Sequence, residues 1–394
     1  MFLAFDGVTP RAKINQQRAT RFRVSKKFDD DNELGEQQEL LDTNCITPGT
    51  TFMAELIEHM RHFVAYKIST DPMWQGCKII LSGPEVPGEG EHKIMQYIRY
   101  EKTLNTYDCN TRHCVYSIDA DMIVLGLCCR IVHFSLIQET IRFGKRKLLL
   151  TPEESEFHLL HLCVLREYLQ KEFGYLFDDR GIVGFDSEKI IDDWVLLGFL
   201  VGNDFVPQLP KLNIVDGALP FLYKIYVDVF PNLNGYINES GVLNLKRFEM
   251  FLKYLFSFEK KLESESSAET RFLTNSNDDG DKFADVPLKT AINSDIQTNL
   301  RLQDLKLDDS ECSTKSEYYK TKLKVTNFEE SDVKVMVTEY VRAVQWTLAY
   351  YYQGCISWSW YYPYHYAPHI SLAGGITTYK QTLAAKSIPN SLNK

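Results

Sequence analysis

Glu89 and Glu91 stand two residues apart, interleaved with Gly88 and Gly90, in the stretch Ser82–Lys93 (SGPEVPGEGEHK). Two carboxylates that close repel one another unless a cation lies between them. Hard divalent cations such as Mg²⁺ favour carboxylate oxygens. Glycine has no Cβ, so the backbone here can turn sharply and approach a phosphate or an ion. The helical pattern HKIMQYIRYEK follows at once, and such a helix aims its free N–H groups and positive dipole end into the same space. The stretch is read as half of a metal site. The other half is sought at Asp119 and Asp121 in HCVYSIDADMIVLGL (113–127), whose apolar flanks fit a buried parallel strand. Residues i and i+2 on a strand share a face, so both aspartates would leave its C-terminal end together, where open α/β sheets bind ligands. A plain strand-end turn accounts for the same D-x-D. Asp204 follows the apolar helix pattern Trp194–Val201, with Gly202 ending it and Pro207 preventing its resumption. It is either a further site acid or a capping aspartate. Asp6 closes the apolar opening FLAF, read as a buried strand ending in a glycine turn.

Between these acids lies a basic helix. Thr9–Lys27 carries Arg11, Lys13, Arg18, Arg21, Arg23, Lys26 and Lys27 and no acid. Thr9 is the expected cap and Pro10 suits the first turn. Lys13, Gln17 and Arg21 recur at i, i+4 and i+8 and so share one face. Such a run is either a solvated helix face or a phosphate-binding one. Its lack of acids, in a chain of net charge −9, favours phosphate. The acidic FDDDNELGEQQE that follows reads as a loop.

The elements that must position these residues come from a 394-residue chain, 44% hydrophobic and 25% charged, ordinary for a globular protein of one large or two average domains. The net negative charge excludes a global basic field, so any polyanion site must be local. Nine scattered cysteines without a C-x-x-C argue for a reducing compartment. No apolar run is long enough to span a bilayer. An amphipathic helix is expected over residues 52–66, with His59 and His62 as surface or packing residues, and a strand over Cys77–Ser82. His158, His161 and Cys163 fall in a mainly helical stretch and are read as core rather than ligands. Helix, NESG turn and helix follow over 211–258. Residues 259–316 turn polar and acidic, as a flexible linker does. Val333–Gln353 is an aromatic-rich helix containing Trp346. SWSWYYPYHYAP (357–368) reads as a rigid aromatic wall, although such rings also stack on unpaired bases. His365 and His369 are read as packing or rim residues.

Taken alone, these residues support a carboxylate cluster binding divalent metal for phosphodiester hydrolysis, beside a basic face for a terminal phosphate. In order along the chain, DGVTPRAKINQQR, SGPEVPGEGEHKIMQYIR, SIDADMIVLGL, LLGFLVGNDFVPQLP and QWTLAYYYQGCISWSWYYPYHYAP resemble the XRN family of 5′→3′ exoribonucleases, more its cytoplasmic than its nuclear branch. The resemblance runs from residue 1 to about 370, the linker apart. It implies an α/β fold with a PIN/flap-nuclease-like parallel sheet core flanked by helices (1–258). A helical, aromatic-rich second conserved region (317–370) would pack on that core, and 371–394 would form a divergent tail. It implies hydrolysis of single-stranded RNA bearing a 5′ monophosphate, using two Mg²⁺ ions for which Mn²⁺ can substitute. The metal-binding, catalytic set would be Asp6, Glu89, Glu91, Asp119, Asp121 and Asp204. Lys13, Gln17 and Arg21 would hold the 5′ phosphate, and Trp346 would stack on leading bases. A cytoplasmic (alternatively nuclear) monomer acting in mRNA decay, with decapping or mRNA-decay proteins as partners and no membrane, completes the expectation.

The sequence also departs from the family pattern. The family begins with a further strand supplying another aspartate and a stacking histidine, so this chain is expected to be a fragment. Thr20 stands where a second arginine is usual beside Arg21. A catalytically inactive RNA-binding or scaffold protein is the alternative reading. A flap endonuclease acting on DNA would share the paired acids, but does not resemble the combination of the QQR helix and the SWSWYYPYHYAP block.

Overall fold

The structure is a computed structural model. It describes residues 1–33, 43–117, 119–139, 156–179, 181–182, 184–210, 212–214, 217–258, 318–319, 322 and 330–369, without the side chains of Ala19, Arg23, residues 26–33 and Glu330. The expected linker (259–316) and tail (371–394) lie outside these residues.

The chain opens with β1 (Phe2–Ala4), half-buried rather than buried, which pairs in parallel with β2 (Ile80–Ser82). Between them run α1 (Arg11–Glu33) and α2 (Thr51–Thr70). α1 absorbs the start of the stretch expected as a loop, because no glycine or proline interrupts the chain between Arg11 and Glu33. Its cap also differs from expectation. The Pro10 carbonyl accepts from the N–H groups of Lys13 and Ile14, while the buried Thr9 hydroxyl has no partner. The Arg11 N–H donates to the Trp358 carbonyl at 2.9 Å, so α1 is anchored from the far end of the sequence. His59 and His62 on α2 are exposed, as read.

After β2 come α3 (Gly90–Glu101), β3 (His113–Tyr116), α4 (Asp121–Cys128), β4 (Phe134–Glu139), β5 (Phe157–His161) and α5 (Leu162–Asp178). β4 pairs in parallel with β3 and antiparallel with β5. His158 and His161 therefore lie on an exposed strand rather than in a helical core, and the His161 Nδ1 meets the Ser135 hydroxyl. A short apolar run fits either period, and pairing with β4 selected the strand. Then follow α6 (Ser187–Leu200), α7 (Ala218–Leu233), the hairpin β6 (Asn238–Glu239) with β7 (Val242–Leu243), α8 (residues 245–258) and α9 (Glu330–Tyr352). The molecule is thus mixed α/β with small sheets. Among the described residues the strands form three separate sheets, not one parallel sheet.

One hydrophobic cluster runs from Ala12 to Ala367. α9 lies at its centre, in contact with α4, α6 and β7. Its Met336, Ala343, Val344 and Leu348 are fully enclosed. At the same core, the Asp193 carboxylate on α6 accepts from the Tyr226 hydroxyl and from the N–H groups of Ile237 and Asn238. Asp192 accepts from Tyr352, Arg130 and the Ser240 N–H. The two acids bind helix, hairpin and α9 together. Burial lifts the Asp193 pKa to about 7 against those hydrogen bonds. Removing this acceptor leaves two enclosed N–H groups and a tyrosine hydroxyl unpaired. Asp193→Ala is therefore expected to cost about 3 kcal/mol in urea unfolding; an exposed control such as Glu58→Ala should change it by less than about 0.5 kcal/mol.

Candidate active site

Asp6 leaves the C-terminal end of β1, and the 83–89 loop leaves the adjacent end of β2. The two are stitched together: Gly7 N–H donates to the Gly88 carbonyl and Gly88 N–H to that of Val8. Gly88 sits at φ +113°, where a side chain would be strained. Asp6 Oδ1 accepts from the Gly90 N–H at 2.7 Å, at the first turn of α3. This carboxylate stands where the free N–H groups of a helix favour negative charge. Lys93, one turn on, donates from Nζ to the carbonyls of Phe5 (2.7 Å) and Gly83 (2.8 Å), clamping both strand ends to α3. The sequence reading missed Lys93 because its partners are backbone atoms that no side-chain motif reports.

Glu89 precedes α3 and is 2% exposed. Its Oε1 accepts from the Tyr350 hydroxyl of α9 at 2.8 Å, and its Oε2 meets Lys13 Nζ at 2.7 Å. The same ammonium lies 2.5 Å from Asp204 Oδ2 and over the Phe205 ring. Asp204 is presented by a knot at the end of α6. There Gly202, at φ +92°, lets Gln208 pack against it, and Asn203 Oδ1 accepts from the N–H groups of Phe205 and Val206. Asp204 is thus a turn residue whose carboxylate faces the cluster rather than capping a helix.

The second expected acid pair is placed differently from the sequence reading. β3 ends at Tyr116, so Asp119 sits in a loop and Asp121 in the first turn of α4. The Ser117 hydroxyl accepts from the Asp119 N–H, and Asp119 Oδ1 from the Asp121 N–H, which folds the chain into a turn. The apolar run after Asp121 buries Met122 and Leu125 at helical spacing, so it winds rather than extends.

The acids fall into two electrostatically coupled sets, Asp6 with Glu89 and Glu91, and Asp119 with Asp121 and Asp204, and Lys13 joins the two by meeting Glu89 and Asp204. Glu91 is pushed up to about 8 by burial, then by Glu89 and Asp6. Glu89 is raised by burial against the pull of Lys13 and Tyr350, with Asp6 adding to the rise. Asp121 is raised by burial and by Asp119 and Asp204. The buried Tyr351 hydroxyl lies close enough to Asp121 to pull its pKa down as a hydrogen-bond donor, though outside good hydrogen-bond geometry. Burial works against the charge on Lys13, yet Glu89 and Asp204 more than offset it and hold its pKa above the ordinary lysine value. The site therefore carries excess negative charge and already draws in one cation. The donor set is carboxylate oxygen, which suits Mg²⁺ chemically. Among the described residues, however, no three potential ligands converge on one point.

Gln17 and Arg21 continue from Lys13 along α1, paired through Arg21 Nη2 and Gln17 Oε1 at 3.3 Å. Trp346 is 1% exposed, its indole N–H donating to the Ser357 carbonyl. The Tyr350 and Trp360 rings lie 4.9 and 5.5 Å from it, inclined at 30° and 32°, and Phe205 links it to Lys13. His92 stacks on Tyr350 at 3.7 Å, its pKa driven down to about 3 by burial, then by Arg99 and Lys13, so it is neutral.

Residues 1–140 match the XRN 5′-3′ exonuclease N-terminus, and residues 184–306 and 289–387 match the Xrn1 helical domain. The chain belongs to the XRN family. It is 46% identical over 421 residues to 5′-3′ exoribonuclease 1 of Homo sapiens, covering 96% of this chain and 24% of that protein. Against 5′-3′ exoribonuclease 1 of Saccharomyces cerevisiae it is 35% identical, covering 95% and 32%. Against 5′-3′ exoribonuclease 2 of Gallus gallus it is 33% identical, covering 95% and 51%. The chain thus spans between about a quarter and a half of these XRN relatives. The acid cluster lies on segments from both matched regions: Asp6, Glu89, Glu91, Asp119 and Asp121 from the first, Asp204 and Tyr350 from the second.

Two outcomes follow for the cluster. Folded Glu91 keeps its proton up to about pH 8, whereas its ordinary value is 4.5. The folded state then binds more protons across that window, so stability in EDTA falls as pH rises from about 5 to 8. Glu91→Gln should flatten this slope in pH-dependent thermal melts. Tyr350→Phe strips a buried carboxylate of its donor and should cost about 1–3 kcal/mol in denaturant unfolding; a loss below about 0.5 kcal/mol would contradict the assigned contact.

Proposed function

We propose that this chain carries the nuclease centre of a 5′→3′ exoribonuclease that hydrolyses unpaired RNA from a 5′ monophosphate to mononucleotides. The observation that carries this reading is the Lys13 ammonium bridging Glu89 and Asp204 and so joining the two acid sets, with Gln17 and Arg21 extending the same helix face. The family's relatives are named as exoribonucleases, which supports RNA as the substrate class. The parallel pairs β1–β2 and β3–β4, each with acid-bearing loops at strand C-termini, support a PIN/flap-nuclease-like core.

Asp6, Glu89, Glu91, Asp119, Asp121 and Asp204 are the residues that would hold two Mg²⁺ ions. Bound there, the metal supplies Lewis acidity and lowers the pKa of a water at the scissile phosphate. The chain's own contribution is positional. Lys93 and the Gly90 N–H fix Asp6, Tyr350 fixes one oxygen of Glu89, and the Asn203 knot fixes Asp204. Lys13, Gln17 and Arg21 supply cationic and amide donors for a terminal phosphate, and Arg is suited to bidentate phosphate contact. A pocket fitted to one phosphate excludes a cap or triphosphate. Trp346 is proposed to register leading bases; a base stacking on its face would have to displace Trp360 or Tyr350. Identity is higher to the type 1 relatives than to the type 2 relative above, which supports a cytoplasmic role in mRNA decay beside decapping proteins. No helix of the described residues is long and apolar enough to cross a membrane.

A second reading, RNA binding without turnover, is favoured by the lack of three converging ligands among the described residues. The two separate in one assay. With Mg²⁺ and RNAs bearing a 5′ monophosphate, hydroxyl or triphosphate, only the monophosphate RNA should shorten, in single-nucleotide steps. Asp121→Ala should abolish shortening and keep binding. Arg21→Ala should lower kcat/KM on that RNA by about tenfold, the scale of one charge-assisted hydrogen bond. Binding without cleavage by the unsubstituted chain supports the second reading. Neither activity in folded protein overturns both.

A further inference from the structure

An adjoining side of α1 borders an open cleft of about 510 Å³ whose residues have no part in the acid cluster. Asn15, Arg18 and Phe22 form one wall; Tyr361, Tyr364 and His365 of the aromatic segment form the other. Among the described residues no carboxylate lines it, in a chain of net charge −9. Two acids, Glu339 and Asp332, lie near enough to act on Tyr364, and Glu339 is paired with Arg342. Phe22 is 65% exposed, and the Arg18 guanidinium lies 5.7 Å over it. Across the cleft, Tyr361 is held under the Arg11 guanidinium at 4.3 Å, and the backbone of the segment is pinned by the Trp358 carbonyl to the start of α1. Flat rings and a guanidinium, with imidazole at the rim, are the surface that a stacked base and its phosphate recognise.

Arg18 precedes Arg21 by three residues, so the two are surface neighbours on the helix. The proposed phosphate-gripping face and the cleft therefore adjoin along α1. We propose that the cleft binds an unpaired nucleotide of the RNA a few positions downstream of the 5′ end, its base stacking on Phe22 and Tyr364 and its phosphate meeting Arg18. This rests on the functional reading above. It adds a contact that the acid cluster, the Lys13–Gln17–Arg21 face and Trp346 do not supply.

The test uses 5′-monophosphorylated oligouridylates of two and eight nucleotides in EDTA, so that binding is read by fluorescence anisotropy without cleavage. Arg18 and Phe22 are both exposed, and an Arg18→Ala/Phe22→Ala double variant should melt at the unsubstituted temperature. It should bind the octamer about tenfold more weakly, on the scale of one lost base stack, and bind the dinucleotide unchanged. Its salt dependence for the octamer should be shallower by about one unit of slope, the loss of one phosphate contact. In a second measurement, 4-thiouridine placed from the third nucleotide onward should crosslink to Phe22 or Tyr364. Equal octamer affinity in the double variant, or crosslinks that all map elsewhere, would overturn the proposal while leaving the functional reading intact. Failure of the unsubstituted chain to bind either oligonucleotide would overturn both.

Discussion

The Lys13 ammonium, enclosed between Glu89 and Asp204, is the contact on which the arrangement depends. Asp6 and Asp119 are exposed, but Glu89, Glu91, Asp121 and Asp204 are wholly or partly buried, and carboxylates gathered there need a counter-charge. Their mutual repulsion and desolvation already hold Glu91 and Asp121 above the usual range. Lys13 supplies one positive charge from α1, the helix that also carries Gln17 and Arg21. The anionic centre and the proposed phosphate face are therefore fixed relative to each other by a side chain common to both. A change at Lys13 would release Glu89 as an uncompensated buried acid, so its effect cannot be divided neatly between binding and stability.

α9 is the second organiser. Three successive tyrosines on it face three different acids: Tyr350 donates to Glu89, Tyr351 lies beside Asp121, and Tyr352 donates to Asp192. The outer two hydroxyls make hydrogen bonds, one into the cluster and one into the Asp192–Asp193 hub. Consecutive helical residues point about 100° apart, so the row spreads over a little more than half of the helix circumference. Only a helix surrounded by other elements can use three adjacent side chains this way. This explains why α9 is buried on most sides and why its aromatic density is high.

The spacing of Glu89 and Glu91, the glycines around them and the basic face of α1 were legible in the sequence, because each is a local pattern. What joins them was not. Lys13 and Asp204 are 191 residues apart, and Tyr350 and Glu89 261. No periodicity reports such pairings. The resemblance of the whole chain to one family placed the acids in a common set, but not the tyrosine and lysine contacts that hold them. Local errors had local causes. Asp119 and Asp121 were read on a strand because apolar flanks suit either period; the Ser117 and Asp119 side-chain acceptors, which bend the chain into α4, decide the matter. α1 ran past its expected end because acids without glycine or proline do not break a helix. Trp346 stood out as a stacking surface, while its enclosure by Tyr350 and Trp360 depends on the later aromatic segment.

The bond from Tyr350 to Glu89 spans most of the chain, and the Trp358 carbonyl that receives the Arg11 N–H comes later still. Synthesis proceeds from the N-terminus, so the acid-bearing loops leave the ribosome long before α9 and the aromatic segment that complete their surroundings. During that interval Glu89 has Lys13 beside it but lacks the Tyr350 donor that fixes its other oxygen. Assembly of the site is thereby deferred until most of these residues have been translated.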